Sequence, residues 1–139
     1  MLREAKVIVP GLFPGRETDE TTRERYAFER KAAAEFGGLT RTMGYGIDPT
    51  TPRGEEVWIY TIAMYDTADN TATLARLAFE VWAATDQAFG YMVLPSGDVC
   101  FVDIAAAKRT GIIPLPGNRF IAASDHVSVT SEGLRNARQ

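Results

Sequence analysis

One cysteine and one histidine in 139 residues leave several kinds of chemistry without material. Cys100 cannot close an intrachain disulfide, and its place in the alternating run Val99-Cys100-Phe101-Val102 reads as a core thiol rather than a nucleophile. His126, between Asp125 and Val127 in a weakly patterned tail, reads as a surface or loop histidine rather than a catalytic base. The two cannot form a zinc site without carboxylates, and no HExxH, CxxC or EF-hand spacing occurs, so neither a metal nor a catalytic triad is expected. The glycine-bearing stretches Gly11-Leu12-Phe13-Pro14-Gly15 and Gly44-Tyr45-Gly46 lack the spacings of phosphate-binding loops, which leaves no sign of a nucleotide cofactor.

Other absences narrow the field further. No apolar run approaches the ~20 residues of a membrane span. There is no excess of positive charge: 15 Lys and Arg face 18 Asp and Glu, a net charge of −3, which argues against a nucleic-acid partner. Met1 to Lys6 passes quickly into a β-like run that ends at Pro10, without the long apolar stretch of a secretory signal, so the cytoplasm is the expected compartment.

What remains is an ordinary globular composition, 45% hydrophobic and 24% charged. A single domain over residues 1–139 is expected, with its core in about 5–103 and a C-terminal extension over 104–139. Ala5 to Val9 reads as a strand. Thr21-Thr22-Arg23-Glu24 fits a capping box ahead of a helix carrying Phe28, Ala32 and Phe36, and Gly37-Gly38 stops it. Leu39 to Ile47 alternates, with Arg41, Met43, Tyr45 and Ile47 on one face and Thr40, Thr42, Gly44 and Gly46 on the other. Asp48 to Gly54, with two prolines, reads as a loop, and Glu56 to Tyr65 as an interior strand. Asp69-Asn70 are candidate caps for a second helix, where Leu74, Leu77, Ala78, Val81 and Trp82 form a core-facing stripe. Ala88 to Leu94 and Val99 to Asp103 flank the turn sequence Pro95-Ser96-Gly97-Asp98 and read as a hairpin. Ala105 to Ala107 suits a short helical turn, Leu115-Pro116-Gly117 a loop, and His126 to Thr130 one more strand.

The order strand, helix, strand, strand, helix, strand is that of an α+β, ferredoxin-like βαββαβ sandwich, with two helices on one face of an antiparallel sheet. The other face then needs a cover, and a homo-oligomer is expected.

One constellation suggests a site. If the second and third strands pair symmetrically about the point between Thr50 and Thr51, Tyr45 falls opposite Glu56, near Trp58 and Tyr60. A phenol and a carboxylate side by side make a pocket wall. The plainer alternative is a half-buried sheet tyrosine, with Glu55 and Glu56 as charged strand-start residues facing water.

From the second strand through the second helix, the chain resembles the phage-encoded S-adenosylmethionine lyases, which deplete host S-adenosylmethionine and so counter restriction. The resemblance rests on Met43-Gly44-Tyr45, on Glu55-Glu56, whose second member follows the tyrosine by eleven residues, and on Ala75-Arg76-Leu77-Ala78 followed by Glu80 and Trp82. Leu115-Pro116-Gly117 with Phe120 is a fainter echo. The resemblance implies that Tyr45 and Glu56 are catalytic, that Tyr45, Glu55 and Glu56 bind the substrate, and that no cofactor or metal takes part. It also implies a trimer in the host cytoplasm, with ligand held between ferredoxin-like subunits, in keeping with the uncovered sheet face. The products would be methylthioadenosine and homoserine lactone. Two other readings use the same fold: a non-enzymatic oligomer binding a nucleotide-like ligand between subunits, and an interaction module with no ligand.

Overall fold

The computed structural model describes residues 1–11 and 19–123. Along the chain run β1 (Leu2–Pro10), α1 (Asp19–Phe36), β2 (Thr40–Asp48), β3 (Thr51–Tyr65), α2 (Ala68–Ala84), β4 (Phe89–Val93), β5 (Val99–Asp103), α3 (Ile104–Thr110), β6 (Ile112–Leu115) and β7 (Arg119–Ala122). The first five strands form one antiparallel sheet in the order β2-β3-β1-β4-β5, and β6 and β7 pair as a separate ribbon. The domain is α+β, and its sheet order is compatible with a ferredoxin-like arrangement.

Period-two alternation decides which side of the sheet the helices cover. Ala5, Val7 and Val9 of β1, Tyr60, Ile62 and Met64 of β3, Met92 of β4, and Cys100 and Val102 of β5 are all buried, and all join the core that includes Phe28 and Ala32 of α1. From α2 the expected stripe does the covering, with Leu74, Ala78, Val81 and Trp82 buried and Leu77 partly so. Lys31 of α1 and Glu80 of α2 form an ion pair across the two helices.

Trp82 fixes how closely α2 approaches the sheet. Its indole N–H donates to the Ile8 carbonyl at 2.8 Å. Its six-membered ring lies against Gly90, where an added Cβ would stand 2.2 Å from Trp82 Cε3. Only a residue without a side chain fits beneath the indole, and β4 carries one at that register position.

Several boundaries differ from expectation for identifiable reasons. The N-cap of α2 is Thr67 rather than Asp69 or Asn70: its extended backbone (φ −125°, ψ 156°) suits a cap, and its hydroxyl accepts from Asn70 N at 3.1 Å. Asn70 instead turns its side-chain amide to the Tyr65 carbonyl at 2.9 Å, tying the helix to the strand before it. Helix α1 starts at Asp19, so Thr21 and Thr22 lie within its first turn and not at a cap. The loop expected over 48–54 is shorter, because Asp48 pairs with Thr51 and β3 begins there. Strand β1 flanks β3 only from Val57 onward, so Pro52 lies where no second neighbour asks for its missing N–H.

The core also runs past residue 103. Ile104, Ala107, Ile113, Leu115 and Ala123 belong to it, and Asp103 caps α3 by accepting from Ala106 N at 3.0 Å. The short helix and the 115–117 loop thus stand inside the domain's structure, whereas His126 and the strand expected over His126 to Thr130 lie outside the described residues. Among the described residues, no helix is long and apolar enough to cross a membrane.

Replacing Gly90 with alanine forces a methyl group into the Trp82 ring. The expected cost is about 1–3 kcal/mol, read as a lower midpoint of urea unfolding with an unchanged slope. An unshifted midpoint would show that the indole has room to move.

Candidate functional site

The hairpin register brings Tyr45 and Glu56 together as direct cross-strand partners. Arg41 faces Tyr60 and Met43 faces Trp58 in the same register. Since Glu56, Trp58 and Tyr60 alternate along β3, all six side chains share one sheet face. That face is the helix-covered one: the Tyr60 ring packs on Phe28 of α1, with centroids 4.9 Å apart. The outer end of the hairpin runs beyond β1, which leaves Tyr45 76% exposed and Glu56 partly buried. Tyr45 is therefore not the half-buried sheet tyrosine of the plainer reading. Glu55 pairs with Gly46 and belongs to the opposite face, so the structure does not bring it to the Tyr45–Glu56 pair.

This placement corrects one expectation. The uncovered sheet face and the Tyr45–Glu56 face are opposite sides of the same sheet, and a cleft bounded by the pair is not a cleft on the uncovered side.

Gly11 holds Glu56 from the backbone. Its N–H donates to the Glu56 carbonyl, and a Cβ at position 11 would lie 2.9 Å from that oxygen. The chain crosses close against the strand just where Glu56 projects.

Beside the pair is a charged cluster built on Trp58. The Arg25 guanidinium carbon lies 4.0 Å from the ring centroid and that of Arg41 4.4 Å, both within cation–π range. One oxygen of Glu29, Oε2, accepts from Arg41 Nη1 at 2.9 Å and from the Tyr60 hydroxyl at 2.8 Å. Arg25 is only 2% exposed. Burial pulls its pKa below the ordinary arginine value, offset in part by the neighbouring Tyr60, Tyr26, Glu29 and Glu56. The Arg41 pKa is raised, chiefly by its hydrogen bond to Glu29. Burial raises the Tyr60 phenol far above its usual range, and donation to the Glu29 carboxylate adds to the effect.

Arg25 and Glu29 are the members that sequence reading missed. A signal was present: positions 25, 28, 29 and 32 form one helical stripe, and an Arg–Glu pair sharing a stripe with Phe28 and Ala32 has to be accommodated in or beside the core.

Chemically, the arrangement offers an exposed phenol and a carboxylate to a cationic group, with an aromatic ring and two guanidiniums behind them. Among the described residues, no group of three or more His, Cys, Asp or Glu side chains stands close enough to hold a metal ion. Two recesses of about 330 Å³ lie elsewhere, one between the start of α2 and the β6–β7 ribbon and one around Gly37, Gly38 and Thr61. No protein-family model matches the chain, and no curated protein or solved structure matches it.

The Tyr60–Glu29 bond carries a pH signature. A phenol whose folded pKa is raised contributes stability that is whole below the ordinary tyrosine value of 10.0. That contribution is lost as pH rises above it, because the unfolded chain then releases a proton that the folded chain keeps. Tyr60→Phe should cost about 1 kcal/mol at neutral pH and flatten the alkaline fall in unfolding free energy. Chemical denaturation at a series of alkaline pH values checks both, and identical slopes for the two proteins would refute the linkage.

Proposed function

We propose that this chain is an S-adenosylmethionine lyase, and that Tyr45 and Glu56 form the substrate-facing wall of its active site. The observation that carries the reading is their direct pairing on one face at an accessible hairpin end. It joins the two residues to which the resemblance assigns the chemistry. The fold is read as a ferredoxin-like sandwich to which β5 and the segment after it are added, and the reading carries with it a homo-oligomer, a trimer in the family resembled.

The reaction asks little of the protein. A carboxylate oxygen of the substrate forms a bond to its own γ-carbon. The bond from that carbon to sulfur breaks, and its electron pair stays on sulfur as the neutral thioether methylthioadenosine. Homoserine lactone leaves with its ammonium group intact, so no proton needs to be taken or given. Opposite charges on carboxylate and sulfonium partly cancel in the transition state, so excluding water from the bound substrate would favour it over the solvated ground state. Holding the methionine tail folded adds an orientation contribution.

Charge sets the role of Glu56. A carboxylate touching the sulfonium would stabilise the ground-state cation more than the charge-depleted transition state. Glu56 therefore holds the substrate ammonium, and Tyr45 orients it. The cations nearby are disposed so as not to trap the attacking carboxylate: Arg41 is engaged by Glu29, and Arg25 lies inside, over Trp58.

Incubating the purified protein with S-adenosylmethionine and separating the mixture by chromatography tests the reading. Methylthioadenosine with homoserine lactone is the expected outcome. Intact ligand retained on the protein would instead identify a binding oligomer, and neither result an interaction module. Glu56→Gln should lower kcat/KM about 10- to 100-fold, the ~1.5–3 kcal/mol of a hydrogen bond to a charged group. Glu55→Gln, on the other face, should leave it within about twofold. Full turnover by Glu56→Gln with unchanged substrate affinity would refute the assignment.

A further inference from the structure

Among the described residues three threonines are buried, and two of them bond their hydroxyls to a helix carbonyl four residues back. Thr85 Oγ1 donates to the Val81 carbonyl at 2.7 Å, and Thr110 Oγ1 to the Ala106 carbonyl at 2.8 Å. Thr71, in the first turn of α2, is 5% exposed and does not follow them. Its backbone N–H goes to the Thr67 carbonyl at 3.0 Å, but its hydroxyl has no hydrogen-bond partner among the described residues. A hydroxyl sealed in that state would cost free energy. This one is not sealed: Thr71 lines the recess of about 330 Å³ between the start of α2 and the β6–β7 ribbon.

The recess follows from how the ribbon is held. Arg76 Nε donates to the Ala122 carbonyl at 3.1 Å and the Ala123 N–H to the Gly111 carbonyl at 2.9 Å, which fixes the open end of the ribbon. At the turn end, the small side chains Ala68 and Thr71 of α2 leave a space that Leu115, Phe120 and Ile121 border without filling. Arg119 stands beside them. Its Nε donates to the Pro116 carbonyl at 3.1 Å, and its Nη2 lies 3.9 Å from Asp98 Oδ2 in a pair exposed by half on both sides, which leaves much of the positive charge available.

We propose that this recess binds a small monocarboxylate with an apolar body. The hydrocarbon lies against Leu115, Phe120 and Ile121, and the carboxylate accepts from the Thr71 hydroxyl and faces Arg119. The volume is at the small end of ligand pockets, and a mostly apolar lining with a few polar groups is their usual make-up. Charge selects the head group. Arg119 and the positive pole of α2 disfavour an amine, whereas Asp69 in the first turn and Asp98 beside Arg119 limit the anion to a single charge. The inference stands apart from the lyase reading, because no lining residue comes from β2 or β3, and either can fail without the other.

Titrating the full chain with phenylpropionate and following its amide NMR spectrum provides the test. Binding is expected with a dissociation constant of about 0.1–1 mM, with shifts centred on the first turn of α2 and residues 115–121. Phenylpropionamide should bind at least about 10-fold more weakly, and phenethylamine more weakly still. Arg119→Gln should weaken phenylpropionate binding about 10-fold, and Thr71→Val about 3- to 10-fold. In the ligand-free protein Thr71→Val should leave the urea midpoint unchanged or raise it, since it removes a buried hydroxyl that the fold does not pair. A lowered midpoint overturns the proposal, because it would reveal a partner for that hydroxyl within the fold. So do the absence of shifts at concentrations about tenfold above the expected range, equal affinity for the amide, and shifts centred on Tyr45 and Glu56 instead of the recess.

Discussion

Tyr60 can face only one way, and much of the structure follows from that. Its ring is fully buried against Phe28, and its hydroxyl finds a partner in Glu29. Turned to the other face by a one-residue slip of β3, it would leave a gap beneath α1 and Glu29 without its phenol donor. The register of β3 is thereby set, and alternation carries the consequence outward: Trp58 comes to the guanidiniums, and Glu56 to the exposed end of the hairpin. Strand β2 is then read against β3, and Tyr45 comes opposite Glu56. The proposed site is thus specified by a buried tyrosine that takes no part in it.

The charged cluster extends the same logic. A guanidinium as deeply buried as Arg25 is costly unless its surroundings compensate, and here an aromatic face and several acidic or phenolic groups lie around it. Glu56 is one of those charges, so the proposed ammonium-binding carboxylate also helps to offset the burial of Arg25. Its two roles pull on one position. A neutral residue there would lose contact with the substrate and leave a buried cation less well compensated, which is why catalysis and stability need to be measured together in any variant of Glu56.

Much of this was legible in the sequence, unevenly. Helix α2 could be read because Leu74, Leu77, Ala78, Val81 and Trp82 form an uninterrupted stripe, which is a strong periodic signal. The Tyr45–Glu56 pair was reached from an expected loop longer than the one that is there. The actual turn is centred one residue earlier, between Pro49 and Thr50, and the irregularity before it leaves three residues of β3 against one of β2, which restores the expected pairing at Tyr45. Which face the pair occupies was not legible, because Met43, Tyr45 and Ile47 are as apolar as residues under a helix, yet all three are exposed on β2, the edge strand of the sheet. The contribution of residues after 103 to the core was hidden for another reason. Short elements such as α3 and β6 bury too few residues each to show a period, and their apolar positions acquire meaning only when packed.

Strand β2 unites the two surfaces by alternation alone. Its odd positions from Arg41 to Ile47 lie on the face of the proposed site, and its even positions, Thr42, Gly44 and Gly46, lie on the other, where Ile59 and Val57 pack over the two glycines. The small residues on one side give room, and the large ones on the other give contact. An edge strand exposed on both sides is ordinarily a liability, because its unpaired backbone invites further pairing. Here Pro49 and Pro52 flank the turn at its outer end, where they withhold backbone donors, and the bulge before the turn adds twist. Growth by edge pairing is discouraged at that end, which leaves the faces of β2 to make its contacts. Ile59 and Val57, packed over Gly44 and Gly46, bear on the backbone of the strand that presents Tyr45.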